Sequence, residues 1–303
     1  MVRYHFGYDD VREARRGKRL RPLLLLRVAQ AEGTTVERAL DAAVAVELLH
    51  NYSLVHDDIE DGDRVRHGRP TLWARFGIPQ SINAGDAMCS LSYLTLLGGK
   101  DSQSGLGATM AHALHEAHLA MCEGQSLDIS FESVDFVTME QYRRMIAGKT
   151  AALFGAACRL GALCAGASEK RARSYDALGR SYGIAFQIRD DALGAWGATE
   201  VTGKPSGADL ARRKWTFPVV WALSRSPSAD RGIIARAYAR GGGLNPDDVV
   251  SVLAALERLG TKAAADAACD RALAEAHAVA QESGLDSGGG IRQFLAEGAR
   301  RVA

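Results

Sequence analysis

The sequence predicts an all-α fold, and three observations predict it. Apolar residues recur at the 3.6-residue helical period through most of the 303 residues, while the apolar/polar alternation of strands is scarce. Prolines number only seven, so few positions forbid helix. Where the periodic pattern stops, glycines stand: Gly98-Gly99-Lys100-Asp101, Gly203 to Gly207, Gly241-Gly242-Gly243 and Gly288-Gly289-Gly290.

Taken in order, Thr34-Thr35-Val36-Glu37 has the form of a capping box opening a long helix that runs to about Asp61. Helical patterns follow over 81–98, 107–134, 138–165, 168–195, 214–225, 229–240, 246–259, 261–283 and 290–302. No stretch is long or polar enough for an interdomain linker, and no fixed-period repeat is present. The expectation is one domain over residues 1–303 with a deep apolar core.

Composition excludes several functions. At 47% apolar and 24% charged residues the chain is too apolar for disorder. Lysine and arginine total 37 against 36 acids, so no basic excess argues for nucleic acid or an anionic membrane surface. Purely apolar runs such as Leu23 to Leu26 fall far short of a membrane span, and the N-terminus lacks a secretory pattern. The five cysteines, Cys89, Cys122, Cys158, Cys164 and Cys269, form no CxxC pair and read as reduced core thiols of a cytoplasmic protein.

The most informative segment runs from Leu48 to Asp61. At helical pitch His50, Ser53, Asp57 and Asp61 share a stripe, with Asp58 beside it. Carboxylates gathered at the end of an apolar helix repel one another, and are tolerable when solvated or when a hard cation lies between them. Oxygen-only ligands suit Mg²⁺, which takes one or two carboxylates plus substrate phosphates. Arg64, Arg66, His67 and Arg69 follow directly, and Lys18-Arg19-Leu20-Arg21 supplies a second basic cluster, as a diphosphate would need. A second acidic helix end reads Gln187, Asp190, Asp191 and Gly194 on one stripe, followed by Lys204, Asp209 and Lys214. Facing each other across a helical bundle, the two aspartate pairs would clamp metal ions on one diphosphate. His112, His115 and His118 imitate a metal face, but their spacing drifts around the helix, and they are read as structural.

On these residues the chain resembles the polyprenyl synthetase (trans-isoprenyl diphosphate synthase) family. The matching segments are GKRLRP at 17–22, LVHDDIEDGD at 54–63, GRPT at 68–71, FQIRDD at 186–191 and the GK…D…K run at 203–214. Weaker matches are Gly85-Asp86, Gly124-Gln125 with Asp128, and Gly148-Lys149-Thr150. The resemblance implies a helical bundle around a deep apolar cavity, usually a homodimer, using three Mg²⁺ ions. Asp57, Asp58 and Asp61 match the first metal motif, and Asp190 with Asp191 the second. Lys18, Arg21 and His50 match the isopentenyl diphosphate site. Arg66, Lys149, Lys204 and Lys214 match groups holding the allylic diphosphate, and Gln187 a residue near the reacting end.

Three departures stand out. Gly194 occupies the place of the family's last aspartate in the second motif, and His67 the place of an arginine of the isopentenyl diphosphate site. Only 16 residues precede Gly17, so an N-terminal helix is expected to be absent or shortened. The leading expectation is a chain-elongating prenyltransferase. The runner-up, motivated by Gly194 and His67, is a terpene cyclase that ionises a prenyl diphosphate without isopentenyl diphosphate. A non-catalytic regulatory subunit is the third reading, weakened because Asp57, Asp58, Asp61, Asp190 and Asp191 are all present. Tyr52 and Ser53, five and four residues before Asp57, are expected to set the depth of the product cavity. Within the family, one aromatic at this depth, with only two residues between Asp58 and Asp61, resembles synthases that stop at four isoprene units, which implies geranylgeranyl diphosphate, with farnesyl diphosphate next.

Overall fold

The computed structural model describes residues 1–9, 17–99, 105–197, 206–239, 242–285, 289–291 and 293–295. They fall into two compact units: Met1–Glu116 with Ala156–Tyr175, and Ala117–Gly155 with the chain from Asp176 onward. Both are helical, and among the described residues the sheet is a single pair of two-residue strands.

The first unit is built around α3 (Val36–Glu60). Its buried positions Ala39, Ala42, Ala43 and Ala45 are small, which lets neighbouring backbones come close. It packs against α2 (Leu20–Ala31) and α5 (Ile78–Leu97). The α2 helix was not anticipated. Its leucine run has no 3.6-residue rhythm, because apolar residues occupy the buried positions Leu24, Leu25 and Val28 and the exposed Leu23 alike. A four-residue helix, α1 (Val2–His5), precedes it. Its Tyr4 is buried with Val55, Leu72, Ala84 and Met88, and donates a hydrogen bond to the Pro70 carbonyl (2.9 Å).

The expected capping box at 34–37 does not form. Thr35, extended at φ −87°, is the N-cap and makes no side-chain cap bond. The box occurs instead at Thr138, whose hydroxyl accepts from the Gln141 N–H while the Gln141 side chain accepts from the Thr138 N–H. A short hairpin was also missed: β1 (Val65–Arg66) pairs antiparallel with β2 (Arg69–Pro70). His67 and Gly68 turn it at φ 54° and 77°, the positive pair that a two-residue type I′ loop requires. A short helix, α4 (Leu72–Phe76), follows.

In the second unit the long α6 (Leu106–Phe131) contributes its residues from Ala117 on. Then α7 (Met139–Ile146), a π-helical turn over Ala147–Ala151 and α8 (Ala152–Cys164) follow in sequence, α8 belonging to the first unit from Ala156 on. This stretch is long and apolar enough to cross a membrane, but 78% of its apolar window is buried inside the protein, as in a core helix. The α9 helix (Glu169–Trp196) follows. The remaining helices are α10 (Ala208–Ala211), α11 (Phe217–Leu223), α12 (Ala229–Tyr238), α13 (Pro246–Arg258) and α14 (Thr261–Glu282). Helix α11 starts three residues later than the pattern predicted, because Thr216 is an extended N-cap and Pro218 fits only the first turn. The helix predicted over 290–302 lies largely outside the described residues. Of the cysteines, Cys158, Cys164 and Cys269 are buried, whereas Cys122 is exposed, which corrects its assignment to the core.

Candidate functional site

In the first unit the acids end α3. Asp58 is buried, 2% exposed, and Arg66 from the hairpin donates Nε (2.9 Å) and Nη2 (2.7 Å) to its Oδ1. Burial opposes the Arg66 charge, but the Asp58 bond and the charges of Asp58, Asp57 and Asp63 raise its pKa on balance. Asp57 and Asp61, four residues apart on the same helix end, are half-buried. Helical spacing sets Asp58 beside their stripe, and its carboxylate is held inward by the Arg66 guanidinium.

Of the basic residues of this unit, Arg21 on α2 reaches His50 on α3. Arg21 Nη1 lies 3.0 Å from His50 Nε2. Arginine only donates, so His50 accepts there and is neutral. Burial, then the charges of Arg21, Arg66, His5 and His67, hold its pKa well below the usual value. His67 stands at the hairpin turn, where partial loss of water around the ring and the Arg66 charge lower its pKa as well. Lys18 is exposed. The sequence reading missed His5. Its Nε2 meets Asn51 Oδ1 at 3.0 Å, and Asn51 in turn donates to Glu47. Burial, resisted by the Asn51 bond and helped by Arg66, His67 and Arg69, pushes the His5 pKa down to about 4. No spacing signal ties residue 5 to residue 51. Tyr52 packs into the cluster around Tyr4, its ring 4.9 Å from that of His56, while Ser53 donates to the His50 carbonyl (2.8 Å).

In the second unit the π-helical turn carries Lys149 and Thr150, and such turns break the ordinary register where a side chain must be re-aimed. The turn lies against α6 through a glycine pair. A Cβ on Gly124 would sit 2.1 Å from the Lys149 nitrogen, and one on Gly148 2.5 Å from the Ala120 carbonyl oxygen. Lys149 Nζ contacts Asp128 Oδ2 at 2.5 Å, with Lys214 Nζ 3.7 Å from the same oxygen. Burial opposes the Asp128 carboxylate, but the two lysines hold its pKa below the usual range. The weak match at Gly124-Gln125 with Asp128 was the signal for this group. Lys204 lies outside the described residues.

The second acid pair does not form one stripe with Gln187 as the spacing suggested. Asp190 is exposed, whereas Asp191 keeps only 6% of its surface. Successive residues on a helix point about 100° apart, and the core claims the second of them. Asp191 accepts from Tyr142 Oη (2.6 Å), Gln187 Nε2 (2.7 Å) and the Phe217 N–H (2.8 Å). Burial overrides these three bonds and pushes its pKa up to about 7. Gln187 Oε1 accepts from the Thr150 hydroxyl (2.6 Å). Beside Gly194 stands the Asp209 carboxylate: a Cβ on the glycine would fall 2.2 Å from Asp209 Oδ2, which would have to swing aside to admit a side chain.

Among the described residues no group of three or more His, Cys, Asp or Glu side chains forms a ready cation cage. The expected acid clusters are instead split between inward and outward members. The more open donors, Asp57 and Asp61 in the first unit and Asp190 in the second, are hard carboxylate oxygens at helix ends, of the chemistry that Mg²⁺ takes.

The family model described as polyprenyl synthetase matches residues 11–256. The chain is 43% identical over 239 residues to (2E,6E)-farnesyl diphosphate synthases of Mycobacterium bovis and Mycobacterium tuberculosis, covering 78% of this chain. That alignment spans 66% of those relatives' length, just under two thirds. A geranylgeranyl diphosphate synthase of Mycobacterium tuberculosis is 41% identical over 254 residues, 82% of this chain and 71% of that protein. The crystal structure of a polyprenyl synthetase from Streptomyces coelicolor A3(2) superposes with a TM-score of 0.90 at 32% identity, covering 100% of this chain and 90% of that one.

Proposed function

The chain belongs to the polyprenyl synthetase family, and from that premise we propose a trans-prenyltransferase that condenses isopentenyl diphosphate with an allylic prenyl diphosphate to give a short-chain product. One observation carries the reading: over about four fifths of its length the chain is 41–43% identical to synthases named for farnesyl and geranylgeranyl diphosphate. Those names favour elongation over the terpene cyclase alternative.

In this reading Asp57, Asp61 and Asp190 hold Mg²⁺, with three ions as the family resemblance implies. The metal supplies charge neutralisation for the departing diphosphate. Lys149, Lys204 and Lys214, with Arg66, bind the allylic diphosphate, and Asp128 keeps Lys149 and Lys214 aligned. Lys18, Arg21, His50 and His67 bind isopentenyl diphosphate. His50, held neutral, contributes through Arg21, and Gln187 lies beside the allylic carbon that loses the diphosphate. Apolar walls exclude water, which would otherwise capture the allylic cation. The released diphosphate takes the final proton.

Tyr52 is assigned the floor of the product cavity with Ser53 leaving a gap beside it, which gives geranylgeranyl diphosphate as the product. The working protein is a cytoplasmic homodimer without a membrane span. Exposed Leu91, Leu94 and Leu97 on α5 support a subunit contact. Residues 1–303 form one family domain in this reading, since the polyprenyl synthetase match runs through both units. The test is to supply each allylic diphosphate with Mg²⁺, with and without isopentenyl diphosphate, and identify products by mass spectrometry. Elongation only when isopentenyl diphosphate is present supports the reading. Hydrocarbon from the allylic substrate alone overturns it.

A further inference from the structure

We propose that Asp191 is a positioning residue that locks the Gln187 side-chain amide in one orientation, and that it is not a metal ligand. The inference rests on the reading above only for what Gln187 does; the placement of Asp191 stands by itself.

Both Asp191 oxygens are engaged from within the unit. Oδ2 accepts from the Tyr142 hydroxyl and from the Phe217 N–H, and Oδ1 accepts from Gln187 Nε2. The donors come from α7, from the first residue of α11 and from one turn earlier on α9, so three elements are tied to one carboxylate. Oδ2 is taken up by two donors, and Gln187 presents its NH₂ to the remaining Oδ1. That fixes the other end of the amide: Gln187 Oε1 faces Thr150, whose hydroxyl donates at 2.6 Å. Thr150 belongs to the same π-helical turn as Lys149. The chain of bonds Tyr142–Asp191–Gln187–Thr150 therefore sets where a carbonyl dipole lies relative to the lysine that holds the diphosphate. Asp190, one residue earlier and about 100° round the helix, is exposed. An adjacent pair thus divides its labour between an outward acid and an inward strut.

Replacing Asp191 by asparagine keeps the volume but offers an NH₂ group, which allows the Gln187 amide to flip. A misplaced dipole changes the fate of the allylic cation. It either bonds to the alkene of isopentenyl diphosphate or is captured by water, which gives up a proton to the released diphosphate and leaves a prenyl alcohol. The ratio of alcohol to elongated product does not depend on the fraction of active protein, so simple loss of fold does not move it.

The experiment measures two quantities on the full chain: Mn²⁺ affinity by electron paramagnetic resonance with inorganic diphosphate, and the alcohol-to-elongation ratio. Asp190→Asn is expected to weaken Mn²⁺ binding by about tenfold or more, as loss of a carboxylate ligand does. Asp191→Asn is expected to leave Mn²⁺ affinity within about twofold and to raise the alcohol ratio about tenfold, as loss of an orienting contact does. Equal loss of Mn²⁺ affinity in both variants, or a wild-type ratio in Asp191→Asn, overturns the proposal. Should Asp191→Asn fail to fold, Tyr142→Phe removes one of the three bonds. It should raise the ratio about threefold with Mn²⁺ affinity unchanged, and an unchanged ratio there overturns the proposal. A wild-type chain that makes no elongated product refutes the functional reading, and the Mn²⁺ titration still decides whether Asp191 is a ligand.

Discussion

Asp58 in the first unit and Asp191 in the second are both buried, 2% and 6% exposed, and each stands beside a more open aspartate. What neutralises them differs. Asp58 meets the Arg66 guanidinium, a full positive charge at 2.7 and 2.9 Å. Asp191 meets only neutral donors: a phenol, an amide and a backbone N–H. Neutral hydrogen bonds do not repay the loss of water around a carboxylate, so Asp191 is pushed up to about 7, chiefly by burial. The same two-letter motif is therefore an ion pair fixing a hairpin in one place and an uncharged-partner strut in the other. The other members, Asp57 and Asp190, keep more of their surface open to solvent.

The largest expected effect separates outward from inward acids. Asp57→Ala and Asp190→Ala should each lower turnover by roughly 10²- to 10³-fold, with melting temperatures close to wild type. Near-full rates at saturating Mg²⁺ would erase the distinction. Next comes pH, which should act with opposite signs in the two units, measured with EDTA present. Asp191 has a folded pKa raised to about 7, so the native state holds a proton the unfolded chain has released. Its contribution is fully present below pH 4 and is lost as pH rises to about 7, up to roughly 4 kcal/mol. Asp191→Asn should flatten that fall in a denaturation series. His5, lowered to about 4, does the reverse: stability rises between pH 4 and 6.5 by up to roughly 3 kcal/mol, and His5→Gln should remove the rise.

Smaller is Asp58→Asn. It leaves the half-buried Arg66 without its counter-charge and should cost about 1–3 kcal/mol in urea unfolding, where Asp190→Asn costs almost nothing. His67→Arg should lower the Michaelis constant for isopentenyl diphosphate about threefold and leave that of the allylic substrate unchanged, because a lowered-pKa imidazole is exchanged for a permanent charge. Last, Tyr52→Ala should lengthen the product by at least one five-carbon unit; an unchanged product would mean that Tyr52 serves only the cluster around Tyr4.

The helices that carry the site were legible from periodicity and punctuation: α3, α5, α6 and α9 end within a few residues of where the pattern placed them. So were the acid and lysine motifs, because spacing on a helix is a local property. The α2 helix was not legible, since an unbroken leucine run has no face to count. Nor was the hairpin, whose two-residue strands are too short to alternate. The use of Gly124 and Gly148 also escaped, because close approach depends on which helix arrives opposite.

The sequence by itself determined that helices form, where most of them end, and that two aspartate pairs stand at helix ends beside cations. Spacing alone could not say which member of each pair faces inward, that Arg66 closes on Asp58, or that Tyr142, Gln187 and Phe217 close on Asp191. It did not reveal that Asp209 stands against Gly194, or that His5 reaches Asn51. Helical pitch fixes angles between neighbours on one rod, and that much is written locally. Which of those directions becomes interior is set by what packs against the rod from elsewhere in the chain, and the protonation of a buried acid then follows from the charges that packing brings to it.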